Sequence, residues 1–330
     1  MRAVRGAAAH PSTLVLEAAA CSIAGPRPEN QDAGYAGPGL LAVADGVGGK
    51  PAGGVASSLA IRQLSYSLQR ADARATDTTL SSAVSAANEC LRDAAAICPE
   101  WTGMTTTLTA VALTGDDRVV VAHIGDARAY LVRDGHVLRL TADHTFVQGL
   151  VDAGVISVAQ ARVHPMRSIV LHALRGTADD LSHVEVAAFP VQRGDRLLVC
   201  SDGLSGVVPS ETIGRILVEE RRPAHAVTRL MRAALAAGSK DDVTAVVGDI
   251  TVEGAAPLAP PSLVGSVSAR EIPLQRRAAV GRSVSSVHAG DPRRAGCRQI
   301  PVSAPKPRDS QQPAAVLVRR EGASGLRSAS

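Results

Sequence analysis

Aromatic residues are scarce in this chain: two Phe, three Tyr and one Trp make up 2% of its 330 residues. The core must therefore be built from Ala, Val, Leu and Ile, which a chain of this length can bury in quantity. Long apolar runs are lacking as well, since no stretch approaches the roughly 18 apolar residues needed to cross a bilayer. The amino-terminal residues have no continuous apolar segment of the signal-peptide kind. We therefore expect no membrane span.

Paired cysteines are also lacking. The chain has no C-x-x-C motif and no regular spacing among its five cysteines, Cys21, Cys90, Cys98, Cys200 and Cys297. An odd number without a framework indicates reduced thiols. This usage predicts a cytoplasmic protein.

Positive charge is missing from the part of the chain that looks folded, although the formal net charge is +4. Residues 254–330 hold 12 basic and 4 acidic residues, which leaves 23 basic and 27 acidic residues in the rest of the chain. A nucleic-acid-binding domain would carry its positive charge on a folded face. The charge distribution therefore argues against nucleic acid as a partner, and against a metal-dependent nuclease.

Three zones are predicted along the chain: a lead-in over residues 1–11, a folded domain over 12–252, and a basic Pro-, Ser- and Arg-rich tail over 253–330. The tail cannot bury enough apolar surface to offset its ordering entropy, so we expect it to be disordered. In the domain, strand-like runs follow one another, one pair being joined at Asp134-Gly135 by a hairpin signal, and helical patterns come in pairs. Strands are predicted over 13–16, 40–44, 106–113, 119–124, 129–133, 137–140, 196–200 and 243–250, and helices over 54–70, 80–96, 145–153, 210–220 and 224–237. This order predicts an α+β layered domain.

Four aspartates lie where a predicted strand begins or ends: Asp45, Asp126, Asp202 and Asp241. Carboxylate and carbonyl oxygens without nearby His or Cys suit hard cations such as Mg²⁺ or Mn²⁺. The glycines after Asp45 would let a main-chain carbonyl approach such an ion. A single Asp-Gly at a strand end is usually only a turn, so it is the four together that predict a di-metal hydrolase.

These residues belong to a longer series of short motifs. The series contains Arg27 with Asn30-Gln31-Asp32, Asp45-Gly46-Val47-Gly48-Gly49, Gly103-Met104-Thr105-Thr106-Thr107, His123-Ile124-Gly125-Asp126, Asp143-His144, Ser201-Asp202-Gly203 and Asp241-Asp242-Val243-Thr244. In order and spacing it resembles the PPM (type 2C) family of metal-dependent serine/threonine protein phosphatases, over about residues 12–252. The run from Thr145 to Gly154 resembles the bacterial branch of that family.

The resemblance implies a four-layer α-β-β-α sandwich, in which helix pairs flank two antiparallel sheets. It implies two Mn²⁺ or Mg²⁺ ions in the core site and a weaker third ion. The expected metal ligands are Asp45, the Gly46 carbonyl, Asp202, Asp241 and, for the third ion, Asp126. Asp32 would orient water, and Arg27 would bind the substrate phosphate.

The implied reaction is hydrolysis of phosphoserine or phosphothreonine by attack of a metal-bridging hydroxide, with Asp45, Asp202 and Asp241 as catalytic residues. The expected partners are phosphorylated proteins and an opposing serine/threonine kinase, for a protein acting as a monomer. Two other interpretations stay open: a pseudophosphatase that binds phosphoproteins without turnover, and a phosphatase acting on an antagonist of an anti-sigma factor.

The chain departs from the family pattern near the site. Val47 and Lys50 stand where relatives often have other residues, including histidine, so no general acid can be named. Asp242 stands where the family usually has Asn. A carboxylate cannot donate a hydrogen bond as an amide does. We expect Asp242 to alter metal preference through its hydrogen bonds and charge next to a metal ligand, without binding the metal itself.

Overall fold

The computed structural model describes residues 13–47, 52–70, 75–254 and 257–269. Within these residues the strands are β1 (Leu14–Ile23), β2 (Asp32–Gly37), β3 (Leu40–Asp45), β4 (Leu108–Leu113), β5 (Arg118–Ile124), β6 (Arg128–Arg133), β7 (His136–Arg139), β8 (Glu185–Pro190), β9 (Arg196–Cys200), β10 (Val243–Val252) and β11 (Ser262–Gly265). The helices are α1 (Gly53–Gln69), α2 (Asp77–Ile97), α3 (Phe146–Asp152), α4 (Val158–Val163), α5 (Asp202–Ser205), α6 (Ser210–Glu219), α7 (Pro223–Ala236) and α8 (Ser266–Ala269).

The strands form two antiparallel sheets. One sheet has the order β1-β10-β9-β6-β7 and the other has the order β11-β2-β3-β4-β5-β8. Leu41, Val43, Val111, Val199 and Val246 belong to one apolar cluster between the sheets. Leu, Val, Ile and Ala side chains fill this layer, as the scarcity of aromatic residues predicted.

Helices cover the outer face of each sheet. Residues of α1 and α2 pack with one face of the six-stranded sheet in a second apolar cluster, and α6 and α7 pack with the five-stranded sheet in a third. The predicted α-β-β-α sandwich with antiparallel sheets is therefore confirmed. No helix among the described residues has the length and apolar character to cross a membrane.

Local interactions mark where several elements begin or turn. Thr76 and Thr79 form a capping box at the start of α2, and Asp134 and Gly135 both have positive φ in the hairpin between β6 and β7. Three strands, β2, β8 and β11, were not predicted. β2 is short and contains two glycines, and β8 is mostly exposed, so neither shows the alternation that marks a half-buried strand.

The predicted boundary at residue 252 is wrong. β11 pairs with β2, and Ser266 and Val267 in α8 are buried, so ordered structure continues to residue 269. A single edge strand gains its backbone hydrogen bonds from its neighbour and needs no periodic pattern of its own. The predicted disorder of residues 270–330 lies outside the described residues, as does Lys50.

Candidate active site

Four strand ends meet at one edge of the sandwich and line a single cavity. Asp45 ends β3 and Asp126 follows β5, both in the six-stranded sheet. Asp202 follows β9 and Asp241 precedes β10, both in the five-stranded sheet. The lining residues are Arg27, Asp45, Val47, Thr107, Asp126, Ser168, Val170, Asp202 and Asp241. Each sheet thus contributes two carboxylates to one concave site.

The backbone of Asp45 is held by two threonines. The Thr107 hydroxyl accepts from the Asp45 N–H at 3.1 Å, and the Asp45 carbonyl accepts from the Thr107 N–H at 2.8 Å and from the Thr106 hydroxyl at 3.0 Å. These contacts fix the backbone that carries the Asp45 side chain. This role of the threonines was not predicted, although the run Thr105-Thr106-Thr107 is conspicuous in the sequence.

Gly46 lies in a position that only glycine fits. Its N–H donates to the Gln31 carbonyl at 3.1 Å. A Cβ on Gly46 would lie 2.3 Å from the carbonyl oxygen of Gly53, at the start of α1. The close approach of two backbone segments therefore requires the absence of a side chain here, and it places the Gly46 backbone beside Asp45.

The carboxylates of the cavity repel one another and are poorly solvated. Burial, followed by the charges of Asp32, Asp202, Asp126 and Asp241, raises the pKa of Asp45 well above its ordinary value. Burial and the charge of Asp202 raise the pKa of Asp126 in the same way. The pKa of Asp202 is raised by burial and then by Asp241. Negative charge packed this closely calls for a compensating cation.

The donor set fits a hard divalent cation. The Oδ1 atom of Asp202 is buried and has no hydrogen-bond partner among the described residues. In the same part of the chain, no group of three or more His, Cys, Asp or Glu side chains is arranged to hold one ion by itself. Magnesium sites in enzymes commonly use one or two carboxylates per ion and complete the shell with water. Asp45, Asp202 and Asp241 with the Gly46 carbonyl offer donors of that kind.

Arg27 reaches the cavity and pairs with one of its carboxylates. Its Nη1 lies 2.6 Å from Oδ1 of Asp241, and its Nη2 donates to Oδ2 of Asp241 at 3.0 Å. The two Nη atoms of the guanidinium thus bind the two oxygens of one carboxylate, which is the geometry they would use on a phosphate.

Asp32 lies behind the cavity, in β2. Its side chain is fully buried, and its Oδ2 accepts from the Ser201 hydroxyl at 2.7 Å. Oδ1 has no hydrogen-bond partner among the described residues. Burial is the largest cause that raises the pKa of Asp32 to about 7, against the lowering effect of its bond to Ser201. Ser201 also links Asp32 to β10, because its Oγ accepts from the Thr244 N–H at 3.0 Å.

Asp242 holds the loop that carries Arg27. The carboxylate is buried, and its two oxygens accept from the N–H groups of Gly25 and Gln31, each at 2.8 Å. An Asn side chain has only one acceptor oxygen, so it could satisfy only one of these N–H groups. Asp242 therefore acts on the site through the loop and is absent from the cavity lining.

We expect Asp242→Asn to destabilise the protein by about 1–3 kcal/mol, because one buried N–H would face an amide NH₂. Urea unfolding measures the loss, with the exposed Asp93→Asn as a control that should unfold like the wild type. The Mn²⁺ and Mg²⁺ activation curves should also change, since the Asp242 carboxylate binds the backbone of the loop that carries Arg27. Unchanged unfolding together with unchanged metal dependence would contradict both roles.

Comparison with known proteins finds similarity to serine/threonine phosphatases. Residues 29–247 match the family model described as protein phosphatase 2C. The chain is 43% identical to the serine/threonine protein phosphatase PstP of Mycobacterium tuberculosis over 241 residues, which are 72% of this chain and 46% of PstP. It is 36% identical to the serine/threonine phosphatase Stp of Listeria monocytogenes, covering 65% of this chain and 86% of Stp.

Solved structures agree with these matches. The catalytic domain of PstP in complex with two manganese ions superposes with a TM-score of 0.66 at 40% identity, covering 72% of this chain and 100% of that domain. The Stp1 phosphatase of Staphylococcus aureus superposes with a TM-score of 0.64 at 30% identity, covering 75% of this chain and 100% of Stp1. The chain spans about half the length of PstP.

Proposed function

The chain belongs to the protein phosphatase 2C family, and on that premise we propose that it is a metal-dependent enzyme that hydrolyses phosphoserine and phosphothreonine in proteins. The observation that carries the proposal is the cavity at the sheet edge, where Asp45, Asp126, Asp202 and Asp241 lie together with Arg27. Four clustered carboxylates are suited to binding cations, and an arginine beside them is suited to binding a phosphate.

We assign the metal ligands to residues of this cavity and its rim. Asp45, the Gly46 carbonyl, Asp202 and Asp241 would hold two Mn²⁺ or Mg²⁺ ions, and Asp126 would hold a weaker third. When bound, such ions supply Lewis acidity, which polarises the phosphoryl group and activates water. The two manganese ions of the PstP catalytic domain support the choice of metal.

The side chains of the protein would do the remaining work. Arg27, with a fork already directed at an anionic group in the cavity, would bind and orient two phosphoryl oxygens. The buried Asp32 would accept hydrogen bonds from water through its unpartnered Oδ1. Thr106 and Thr107 would keep Asp45 in place while charge moves during the reaction. Preorganised groups of this kind need no rearrangement in the transition state.

The substrates we propose are phosphorylated proteins, with serine/threonine kinases as the opposing enzymes. Support comes from the names of the relatives in Mycobacterium and Listeria, which are serine/threonine phosphatases. We further propose that the protein acts as a monomer in the cytoplasm. The four cysteines of the described residues are all free thiols, as a reducing compartment requires.

The test is hydrolysis of a phosphothreonine peptide by the full chain with Mn²⁺, with Mg²⁺ or with EDTA. We expect turnover with Mn²⁺ and none with EDTA. A peptide of the same sequence carrying phosphotyrosine is the matched control, and it should react much more slowly. A folded chain that binds the peptide but gives no turnover under any metal would contradict the proposal and would indicate a pseudophosphatase instead.

A further inference from the structure

A short segment that follows β10 in the chain lies directly behind the candidate active site. We call residues 262–267 the C-terminal strap. Its strand β11 runs antiparallel to β2, with Val264 opposite Gly34 and Gly265 opposite Ala33. The match to the family model ends at residue 247, so the strap lies outside the matched residues.

The last residue of β11, Gly265, packs against the backbone of Asp32. Gly265 has φ +78°, and a Cβ at this position would lie 2.2 Å from the Asp32 carbonyl oxygen and 3.0 Å from the Ser22 hydroxyl. Both the left-handed backbone and the close approach require glycine. The chain then turns into α8, where Val267 is buried against α1 and its carbonyl accepts from Nη2 of Arg62 at 2.6 Å.

A line of three serine hydroxyls connects the strap to α1. Ser266 is buried, and its Oγ lies 2.9 Å from Oγ of Ser58 and 3.1 Å from Oγ of Ser57. The Ser57 hydroxyl donates to the Gln31 carbonyl at 2.6 Å. The nearest acceptor for the Ser57 proton is the Gln31 carbonyl, since the Gly54 carbonyl lies at 3.3 Å. Each hydroxyl has one proton, so when Ser57 donates to Gln31, Ser266 donates to Ser57 and Ser58 donates to Ser266.

The Gln31 carbonyl is where this line reaches the active site. The same oxygen accepts from the Gly46 N–H at 3.1 Å, and Gly46 follows the carboxylate of Asp45 at the end of β3. The N–H of Gln31 is also bound, by the carboxylate of Asp242. The peptide groups on either side of Gln31 therefore join the strap, the Arg27 loop and the Asp45-Gly46 turn. Ser57 and Gly46 donate to the same oxygen, so a displacement of the Gln31 carbonyl would displace Gly46 as well.

We propose that the strap is a positioning element of the active site, and that Ser266 acts through Ser57 and Gln31 to hold Gly46 at the position where its carbonyl can bind a metal ion. The proposal rests on the proposed function, because it takes Gly46 as a metal ligand. It gives residues beyond the family match a role in the metal affinity of this chain.

The experiment is a Mn²⁺ titration of the full chain, read by electron paramagnetic resonance of free Mn²⁺ and, separately, by hydrolysis of the phosphothreonine peptide. We expect Ser266→Ala to raise the half-saturating Mn²⁺ concentration about fivefold, since one buried hydrogen bond of the chain is lost. Ser57→Ala should give a similar rise. The double variant should be no worse than Ser57→Ala alone, because both changes interrupt one path.

Val267→Ala is the matched control for a purely structural role. Val267 is buried in the same strap but has no part in the serine line, so this variant should lower the melting temperature and leave half-saturating Mn²⁺ unchanged. Should Ser266→Ala not fold, Ser57→Ala carries the same test.

Other results would contradict the role of the strap or the proposed function. Mn²⁺ affinity that is unchanged in Ser266→Ala and Ser57→Ala, or that falls in step with melting temperature in all three variants, would overturn the role of the strap. A wild-type chain that neither binds Mn²⁺ nor hydrolyses the peptide would overturn the proposed function itself, and with it the assignment of Gly46.

Discussion

Asp45→Ala should remove metal-dependent turnover almost completely, with a loss of at least about 10³-fold, or about 4 kcal/mol of transition-state stabilisation. Asp45 is the carboxylate on which the charges of the cluster converge, since Asp32, Asp126, Asp202 and Asp241 all raise its pKa after burial does. A variant without it would lose both the proposed metal ligand and the group that Thr106 and Thr107 position. The measurement is kcat/KM for the phosphothreonine peptide at saturating Mn²⁺.

The same variant should fold. In EDTA, Asp45→Ala should melt no lower than the wild type, because removing one buried carboxylate relieves the repulsion within the cluster. Added Mn²⁺ should raise the melting temperature of the wild type much more than that of the variant. The exposed Asp93→Ala is the control and should match the wild type in both assays. Residual turnover of more than about a tenth in folded Asp45→Ala would contradict the central place given to this residue.

Arg27→Ala should lower kcat/KM for the phosphothreonine peptide about 10²-fold, the value of two charge-assisted hydrogen bonds at about 1.5 kcal/mol each. Its affinity for Mn²⁺ should stay the same or increase. Arg27 pairs with Asp241 through both nitrogens of its fork, and the variant would leave that carboxylate free for a metal ion. Activity and metal affinity should therefore separate.

Arg27→Lys is the informative companion variant. Lysine keeps the charge but offers no planar fork, so it should recover only a small part of the lost activity. Full recovery with lysine would show that charge alone suffices. A fall in Mn²⁺ affinity in Arg27→Ala would show instead that the arginine supports the metal site, contrary to the assigned role in phosphate binding.

Much of the site could be predicted because its chemistry is local. A buried apolar strand lies beside each of the four carboxylates, Asp45, Asp126, Asp202 and Asp241. The local pattern of apolar and polar residues predicts where such a strand ends. The hairpin at Asp134-Gly135 is a signal of the same kind, because both residues tolerate positive φ. The motif order then indicated the family, and the sandwich followed from it.

Other features depend on residues that are far apart in the sequence. The carboxylate of Asp242 binds the backbone of Gly25 and Gln31, more than 200 residues away, and no local pattern states that pairing. The strap is the clearest case, since it stands within residues 253–330, which were predicted as a disordered basic tail. The strap is ordered because β11 pairs with β2 and because Ser266 hydrogen-bonds Ser57 and Ser58 of α1.

Residue type and spacing therefore determined which elements form, which carboxylates stand at their ends and which family they resemble, because these depend on interactions within a few residues. Tertiary structure decided that two sheets bring the carboxylates into one cavity, that Arg27 faces Asp241, and that Ser266 reaches Gly46 through Ser57 and Gln31. The physical reason is that these contacts join segments whose mutual approach is set by packing of the whole sandwich.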